Sequence, residues 1–281
     1  MKLGRKASEK LRKAIILSIL LIGAIIYVLP FAWLLRSSFM TTSQIFKVPI
    51  QWIPKPFRWQ NYPEALTAMP FMKYLFNTLF ILTLVEAGTI LTASMAAFSF
   101  SRLKWPGRDF FFFLILTSLM IPYAVTLIPT FLLWRKLGFV NTYVPLILPS
   151  WFGGGAFNVF LLRQFFLTIP YEFDEAAYLD GASPWHVLWK VIIPLSKPAL
   201  ITVAIFTFLG VWGDLLGPIV YLHDAEKYTL AVGLTVFRSA YATRWNLLMA
   251  ASTVMVIPPI VLYFLGQRFF VKGIALTGLK Q

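Results

Sequence analysis

The chain has 281 residues, of which 59% are hydrophobic and 13% charged, with mean hydropathy +0.75 and formal charge +14. A soluble domain carries roughly 25% charged residues, so this chain has too little polar material to cover a water-facing surface. Its positive charge fits a nucleic-acid-binding face on a soluble fold or a membrane protein whose Lys and Arg hold loops inside the cell; the apolar runs decide for the second and exclude nucleic acid as a partner.

Residues 1–13 form a basic tail with Lys2, Arg5, Lys6, Lys10, Arg12 and Lys13. The first apolar run, Ala14–Leu35, follows. It exceeds the 7–15 apolar residues of a signal peptide, and no small-x-small cleavage site comes before Pro30 or Arg36, so a retained helix is preferred. The segment Ser37–Pro70 contains Pro49, Pro54, Pro56, Pro63 and Pro70 among Trp52, Phe57, Trp59 and Tyr62. The prolines argue against a long helix. An irregular loop anchored on headgroups by its aromatics is preferred over a docking surface for an external partner.

Five further apolar runs span Tyr74–Phe100, Phe110–Trp134, Tyr143–Leu162, Pro198–Leu222 and Trp245–Gln267. Each of the six reaches the ~20 residues needed to cross a bilayer as a helix, and none alternates in polarity like a barrel strand. The predicted fold class is an all-α integral membrane protein with six transmembrane helices. Glu86 and Asp214 are the charges within the runs. Both are costly in lipid and should face the bundle interior, Glu86 in a structural pairing and Asp214 close enough to an outer end to reach water.

The basic residues set orientation. With the tail in the cytoplasm, six crossings return the C-terminus to the same side. Cytoplasmic segments then hold fifteen Lys and Arg, including Arg102, Lys104, Arg108, Arg163, Lys190, Lys197, Arg268, Lys272 and Lys280, against eight in external segments. Arg36 and Lys73 fall at outer helix ends.

The cytoplasmic loop Arg163–Lys197 reads as two short helices. Thr168 can cap the first, with Pro170 in its first turn and Glu172, Asp174 and Glu175 near its positive end. Gly181 suits the left-handed position that stops it. Ser183-Pro184 then reads as cap and first residue of a second helix, which should end before Pro194 because the residue before proline avoids the helical region. Small residues Ala176, Ala177, Gly181 and Ala182 cluster at the turn and let another backbone approach. Glu175 and Asp180 supply charges for a partner's Arg or Lys. An ordinary amphipathic loop on the membrane explains the helices, but not the acidic, small-residue turn.

Glu175-Ala176-Ala177, three residues, Gly181, nine residues, then Val191, Ile193 and Pro194 resembles the EAA signature of ABC importer permeases. The runs Asp180–Trp185 and Pro194–Leu200, Asn61-Tyr62 with Asn77-Thr78, the turn Ser101-Arg102-Leu103 and the ending Phe270–Lys280 resemble the carbohydrate branch, the maltose-type second permease. The resemblance implies a type I ABC importer permease fold with both termini cytoplasmic. It also implies an ATP-driven importer of a sugar or oligosaccharide, working by alternating access in a bacterial cytoplasmic (inner) membrane. The partners it implies are a second permease, two ATP-binding subunits carrying ATP and Mg, an extracellular or periplasmic sugar-binding protein, and membrane lipid. Coupling to the ATPase falls to Glu175, Ala176, Ala177, Asp180, Gly181, Ala182, Ile193 and Pro194. The implied organisation is a tail at 1–13, a first helix at 14–36, an external loop at 37–70, a core domain at 71–270 with the coupling loop 163–197, and a C-terminal tail at 271–281. One departure stands out: Trp212-Gly213-Asp214-Leu215-Leu216-Gly217-Pro218 lacks the amide and the aromatic of the pattern Trp-Asn-Asp-Phe-Leu-Trp-Pro.

No G-x-x-x-x-G-K-[ST] segment, nucleophile elbow or His–carboxylate array occurs, and there is no cysteine, so no enzyme site, ATP site, metal or other cofactor of the chain's own is expected. Candidates for the translocation path are Asn158, Trp212 and Asp214, with most substrate contacts expected from the partner permease and binding protein. Gly153-Gly154-Gly155 allows either close helix packing or a broken helix; packing is preferred. The alternative functions are a stand-alone secondary transporter or channel, which would carry more intramembrane ionisable groups or broken helices as a repeat, and an ABC permease for a non-sugar solute.

Overall fold

The computed structural model describes the backbone of residues 5–238 and 243–278, and side chains over 9–238 and 243–267. Lys2, Leu279 and Lys280 lie outside the described residues, and Arg5, Lys6 and residues 270–278 are described as backbone alone. The principal helices, in chain order, are α1 Arg5–Ser38, α2 Phe71–Arg102, α3 Arg108–Ser118, α4 Tyr123–Lys136, α5 Ala156–Thr168, α6 Glu172–Leu179, α7 Pro184–Leu195, α8 Lys197–Trp212, α9 Leu216–Tyr221 and α10 Trp245–Gly278. Among the described residues there is no strand, only an isolated bridge between Arg238 and Thr243. Four helical stretches, Glu9–Ser38, Phe71–Arg102, Val144–Thr168 and Trp245–Gln267, are long and apolar enough to cross a membrane, or six spans if the bent pairs α3–α4 and α7–α8 each count as one.

The chain divides into two compact units, 1–70 with 234–257, and 71–233 with 258–281. In the first, α1 buries none of its most apolar stretch. A helix apolar all round fits lipid or another chain, not water. The segment after it forms only short helices, Thr42–Ile45 and Asn61–Thr67, as the prolines require. Thr41 and Gln44 close a capping box over the first. The fully buried Asn61 then ties the segment together: its Nδ2 donates to the carbonyls of Ser38 and Met40, both at 2.8 Å, and its Oδ1 accepts from Asn246 at 2.9 Å. Arg36 stacks 4.3 Å from the Trp33 ring and donates from Nε to the Gln51 carbonyl at 2.8 Å.

In the second unit α2 is central, packed against α5, α8 and the turn Leu148–Trp151. Small residues on α2 make this possible. A Cβ on Gly88 would come within 2.6 Å of the Trp151 indole, and one on Gly154 within 2.6 Å of the Thr89 carbonyl oxygen. Asn77 and Thr78 clamp the far end of α2 to another segment: Asn77 Nδ2 donates to the Glu226 and Tyr228 carbonyls, and Thr78 Oγ1 accepts from the Leu230 amide.

Three apolar runs are not continuous helices. The third bends by 99° between α3 and α4, because Ile121 precedes Pro122 and cannot stay helical; Pro122 is extended, at φ −61° and ψ 137°. The fourth breaks at its glycines, against the preference for simple packing. Gly153, Gly154 and Gly155 all have positive φ, at 87°, 64° and 89°. The contact of Gly154 with α2 shows that the break serves close packing as well. The fifth ends at Gly213, and after Asp214 the short α9 starts afresh.

Candidate functional site

The loop joining α5 to α8 carries most of the predicted site residues. α5 ends at Thr168, whose hydroxyl donates to the Phe165 carbonyl of its own helix. Thr168 is therefore not the cap of α6, contrary to expectation: Ile169 precedes Pro170, turns extended at ψ 126° and separates the two helices. Tyr171 occupies the cap position of α6 without a side-chain bond, while Glu172, Asp174 and Glu175 crowd its first turn.

The end of α6 matches the sequence reading. Gly181 lies at φ 80°. The Ala182 amide donates to the Ala177 carbonyl at 2.9 Å and the Gly181 amide to the Tyr178 carbonyl at 3.0 Å, the paired bonds of a Schellman stop. Ala177 and Ala182 both pack on the core beneath. Ser183 Oγ accepts from the His186 amide and Pro184 opens α7. α7 does not end before Pro194. It widens to a π-turn over Leu188–Ile192 and returns to α-helix at Ile193–Leu195. A proline ring collides with the carbonyl four residues back in a regular helix, and the widened turn lies where that carbonyl would stand.

The two faces of this loop differ. Its inner face, Val187, Leu188 and Ile192, is buried in the same cluster as Phe98, Leu162 and Phe166 of α2 and α5, with Ile193 packed against it. Its outer face shows Glu175, Ala176, Asp180, Gly181 and Pro194 to solvent, together with Phe173 and Leu179. Leu179 is 90% exposed. Leu179 and Phe173 thus set large apolar side chains beside Glu175 and Asp180 on the solvent side.

An ion pair missed in the sequence holds α6 down. Asp174 is fully buried on its inner side, with Oδ2 3.5 Å from Arg102 Nε at the end of α2. Arg102 also donates from one nitrogen to the Phe166 and Ile169 carbonyls, both at 2.7 Å, and lies over the Tyr171 ring. Burial pushes the Asp174 carboxyl above its ordinary range, and Arg102 opposes that shift. The signal was present as an Arg at the end of one run and a carboxylate before the EAA motif, but nothing in the sequence pairs residues so far apart. Arg163 adds a second tie, its Nε on the Phe100 carbonyl at 3.1 Å and its guanidinium 4.1 Å from the Phe112 ring.

The path candidates do not form one cluster around an opening. Asn158 Nδ2 donates to the Gly154 carbonyl at 2.8 Å, in the first turn of α5. Trp212 is buried and stacked on Phe208. Asp214 Oδ1 accepts from the Gly217 amide at 3.0 Å and borders a cavity of only about 30 Å³. A cavity of about 1090 Å³ is lined instead by Glu86 on α2, by α8 and by residues of α10.

The family profile of binding-protein-dependent transport system inner membrane components matches residues 88–276. The chain belongs to this family. That stretch includes the whole α6–α7 loop, so the loop described above is part of the family's own domain. This permease is 34% identical over 268 residues to the sn-glycerol-3-phosphate transport system permease protein of Brucella melitensis, covering 92% of this chain and 94% of that protein. It is 32% identical over 271 residues to the diacetylchitobiose uptake system permease protein of Streptomyces coelicolor, covering 95% and 89%. A crystal structure of a bacterial ABC transporter involved in import of the acidic polysaccharide alginate includes a chain with TM-score 0.82 and 25% identity, covering 96% of this permease and 99% of that chain. The permease is thus a membrane transport subunit of an ABC importer, with the fold of that class.

Proposed function

We propose that this permease is one of two membrane subunits of an ATP-driven importer that takes a sugar or oligosaccharide from an external binding protein. In this reading it crosses the bacterial cytoplasmic membrane six times, with both termini and the α6–α7 loop in the cytoplasm. ATP and Mg act on separate partner subunits, and the bundle alternates between outward and inward openings.

The observation that carries the reading is the two-faced loop. Its outer surface offers Glu175, Ala176, Leu179 and Asp180 to a partner, while its inner surface is continuous with the core of α2 and α5. A push on the outer face therefore reaches the membrane helices through packed side chains and the Arg102–Asp174 pair. Sugar as cargo is supported by the diacetylchitobiose and alginate relatives. The Brucella relative supports a second reading, a phosphorylated polyol. Mass spectrometry of the solute retained by the cognate binding protein separates the two.

The coupling role is tested with Glu175→Lys and Leu179→Asp in the assembled importer. Both changes lie on the solvent side, so both proteins should insert and purify normally. Transport and binding-protein-stimulated ATP hydrolysis should fall at least about tenfold, the effect of losing about 1.4 kcal/mol of docking. Full transport by both variants would remove the coupling assignment.

A further inference from the structure

Glu86 stands near the middle of the 32-residue α2 and has no partner among the described residues: its Oε2 is buried and accepts no hydrogen bond from them. It lies on the wall of the 1090 Å³ groove, between Leu82 and Ile90 of its own helix, facing Ile205 and Phe208 of α8 and Leu262 of α10. At one end of the groove Trp189 presents an indole Nε1 that is likewise buried without an acceptor. The opposite side of α2 is closed by Trp151 and Gly154. One side of the central helix is therefore packed to contact, and the other is open, apolar and marked by a single carboxylate.

An unpaired carboxylate at that depth is costly in lipid, and such groups pair with cations or strong donors. Among the described residues no cation lines the groove. None of the chain's six apolar runs contains Lys, Arg or His. A second copy of the chain has the same lack. We propose that a second, non-identical membrane subunit packs into this groove and that a basic side chain on one of its transmembrane helices binds Glu86. The inference rests on the importer reading above and adds to it the site and the chemistry of the contact. A sugar is the weaker occupant, because apart from Glu86 the lining offers few groups that hydrogen-bond, and hydroxyls need many.

The test uses the importer produced with all its subunits. A photoreactive benzoylphenylalanine is placed at Thr83 or Ala87, both exposed on the open side of α2, and as a control at Phe113, exposed on α3. Positions 83 and 87 should crosslink to a sequence-distinct membrane subunit, and position 113 should not. The crosslinked peptide should contain an intramembrane Lys, Arg or His. Glu86→Leu should lower the crosslink yield about tenfold, and Glu86→Gln less, since an amide keeps a hydrogen bond where a hydrocarbon keeps none. Replacing the identified donor by Leu should match Glu86→Leu, with no added loss in the double variant. Crosslinking to a second copy or to lipid alone overturns the proposal. So does a crosslinked segment without a basic residue, an unchanged yield in Glu86→Leu, or a groove crosslink to labelled sugar in place of a subunit. If the Glu175 and Leu179 variants uncouple transport while the groove fails these tests, the importer reading stands and this inference alone falls.

Discussion

At the scale of single residues, the Arg102–Asp174 pair makes an asymmetric prediction. Arg102 donates to two backbone carbonyls besides its ion pair with Asp174, whereas among the described residues the Asp174 carboxylate has only that ion pair. Arg102→Met therefore strands a buried carboxylate and should cost about 3–5 kcal/mol. Asp174→Asn should cost much less, because burial already favours the neutral carboxyl and Arg102 keeps its carbonyls. The sign with pH follows. A carboxyl whose folded-state pKa lies above its unfolded value stabilises the fold at low pH and loses that contribution as pH rises through the folded value. Melting of the purified Arg102→Met complex should consequently approach wild type at acid pH and fall away at neutral pH, while Asp174→Asn should show little such slope. Equal melting of the two variants at neutral pH would mean that the pair does not hold α6. Gly181 gives a second residue-scale test. Nothing lies within 4 Å of a Cβ added there, so a substitution is opposed by its φ of 80° alone. Gly181→Val should lose about 1–2 kcal/mol and Gly181→Asn distinctly less, because Asn tolerates the left-handed region. Transport should follow that order, and identical loss in both would point to a contact with a partner subunit in place of backbone conformation.

At the scale of elements, what could be read in the sequence was local chemistry. Gly181 as a helix stop, Ser183-Pro184 as a cap and start, and the proline-rich 37–70 segment as irregular all depend on a few neighbouring atoms, and the structure agrees with each. The pre-proline rule was applied in the sequence only before Pro194, where the helix runs on; the breaks at Ile121 and Ile169 that the same rule explains went unread, because long apolar runs carry no period that shows where one helix ends. Thr168 was misread for the same reason: its hydroxyl had a carbonyl in the preceding turn as well as an amide in the next helix to choose from. The π-turn before Pro194 and the triple break at Gly153–Gly155 are answers to packing, which a linear sequence does not display. The α2 contact makes this testable. Gly154→Val forces a branched side chain into positive φ and against the Thr89 carbonyl, so it should destabilise by about 3 kcal/mol or more, the sum of overpacking and backbone terms. Gly153→Ala meets no neighbour within 4 Å and should lose only the backbone part. Thermal melting in detergent distinguishes them, and equal losses would place the cause in the backbone alone.

At the scale of the whole molecule, the question is which side of the membrane each part occupies. Composition and the six apolar runs put the class within reach of the sequence, and the family assignment agrees with it. The expected orientation follows from the basic residues, whose excess lies mainly in the tail and the short 101–108 turn. The bent pairs α3–α4 and α7–α8 sharpen the question, since bends of 99° and 81° can each belong to one crossing or to a re-entrant segment that returns to its own side. If each pair is one crossing, the number of crossings is even and the termini share a side. If one pair is re-entrant, the segments beyond it change sides. Single cysteines can be placed against the chain's natural absence of the residue, at Ser43 after α1, Ser183 in the α6–α7 turn and Lys280 at the C-terminus. An impermeant thiol reagent added to intact cells should label position 43 and leave 183 and 280 unlabelled until the cells are opened. Ser183 is exposed in the fold, so failure to label it from outside reports sidedness and not burial. Labelling of 183 in intact cells would put the α6–α7 loop on the wrong side for an ATPase partner. Labelling of 280 with 183 protected would keep the coupling loop inside and assign an odd number of crossings to the segment that follows it.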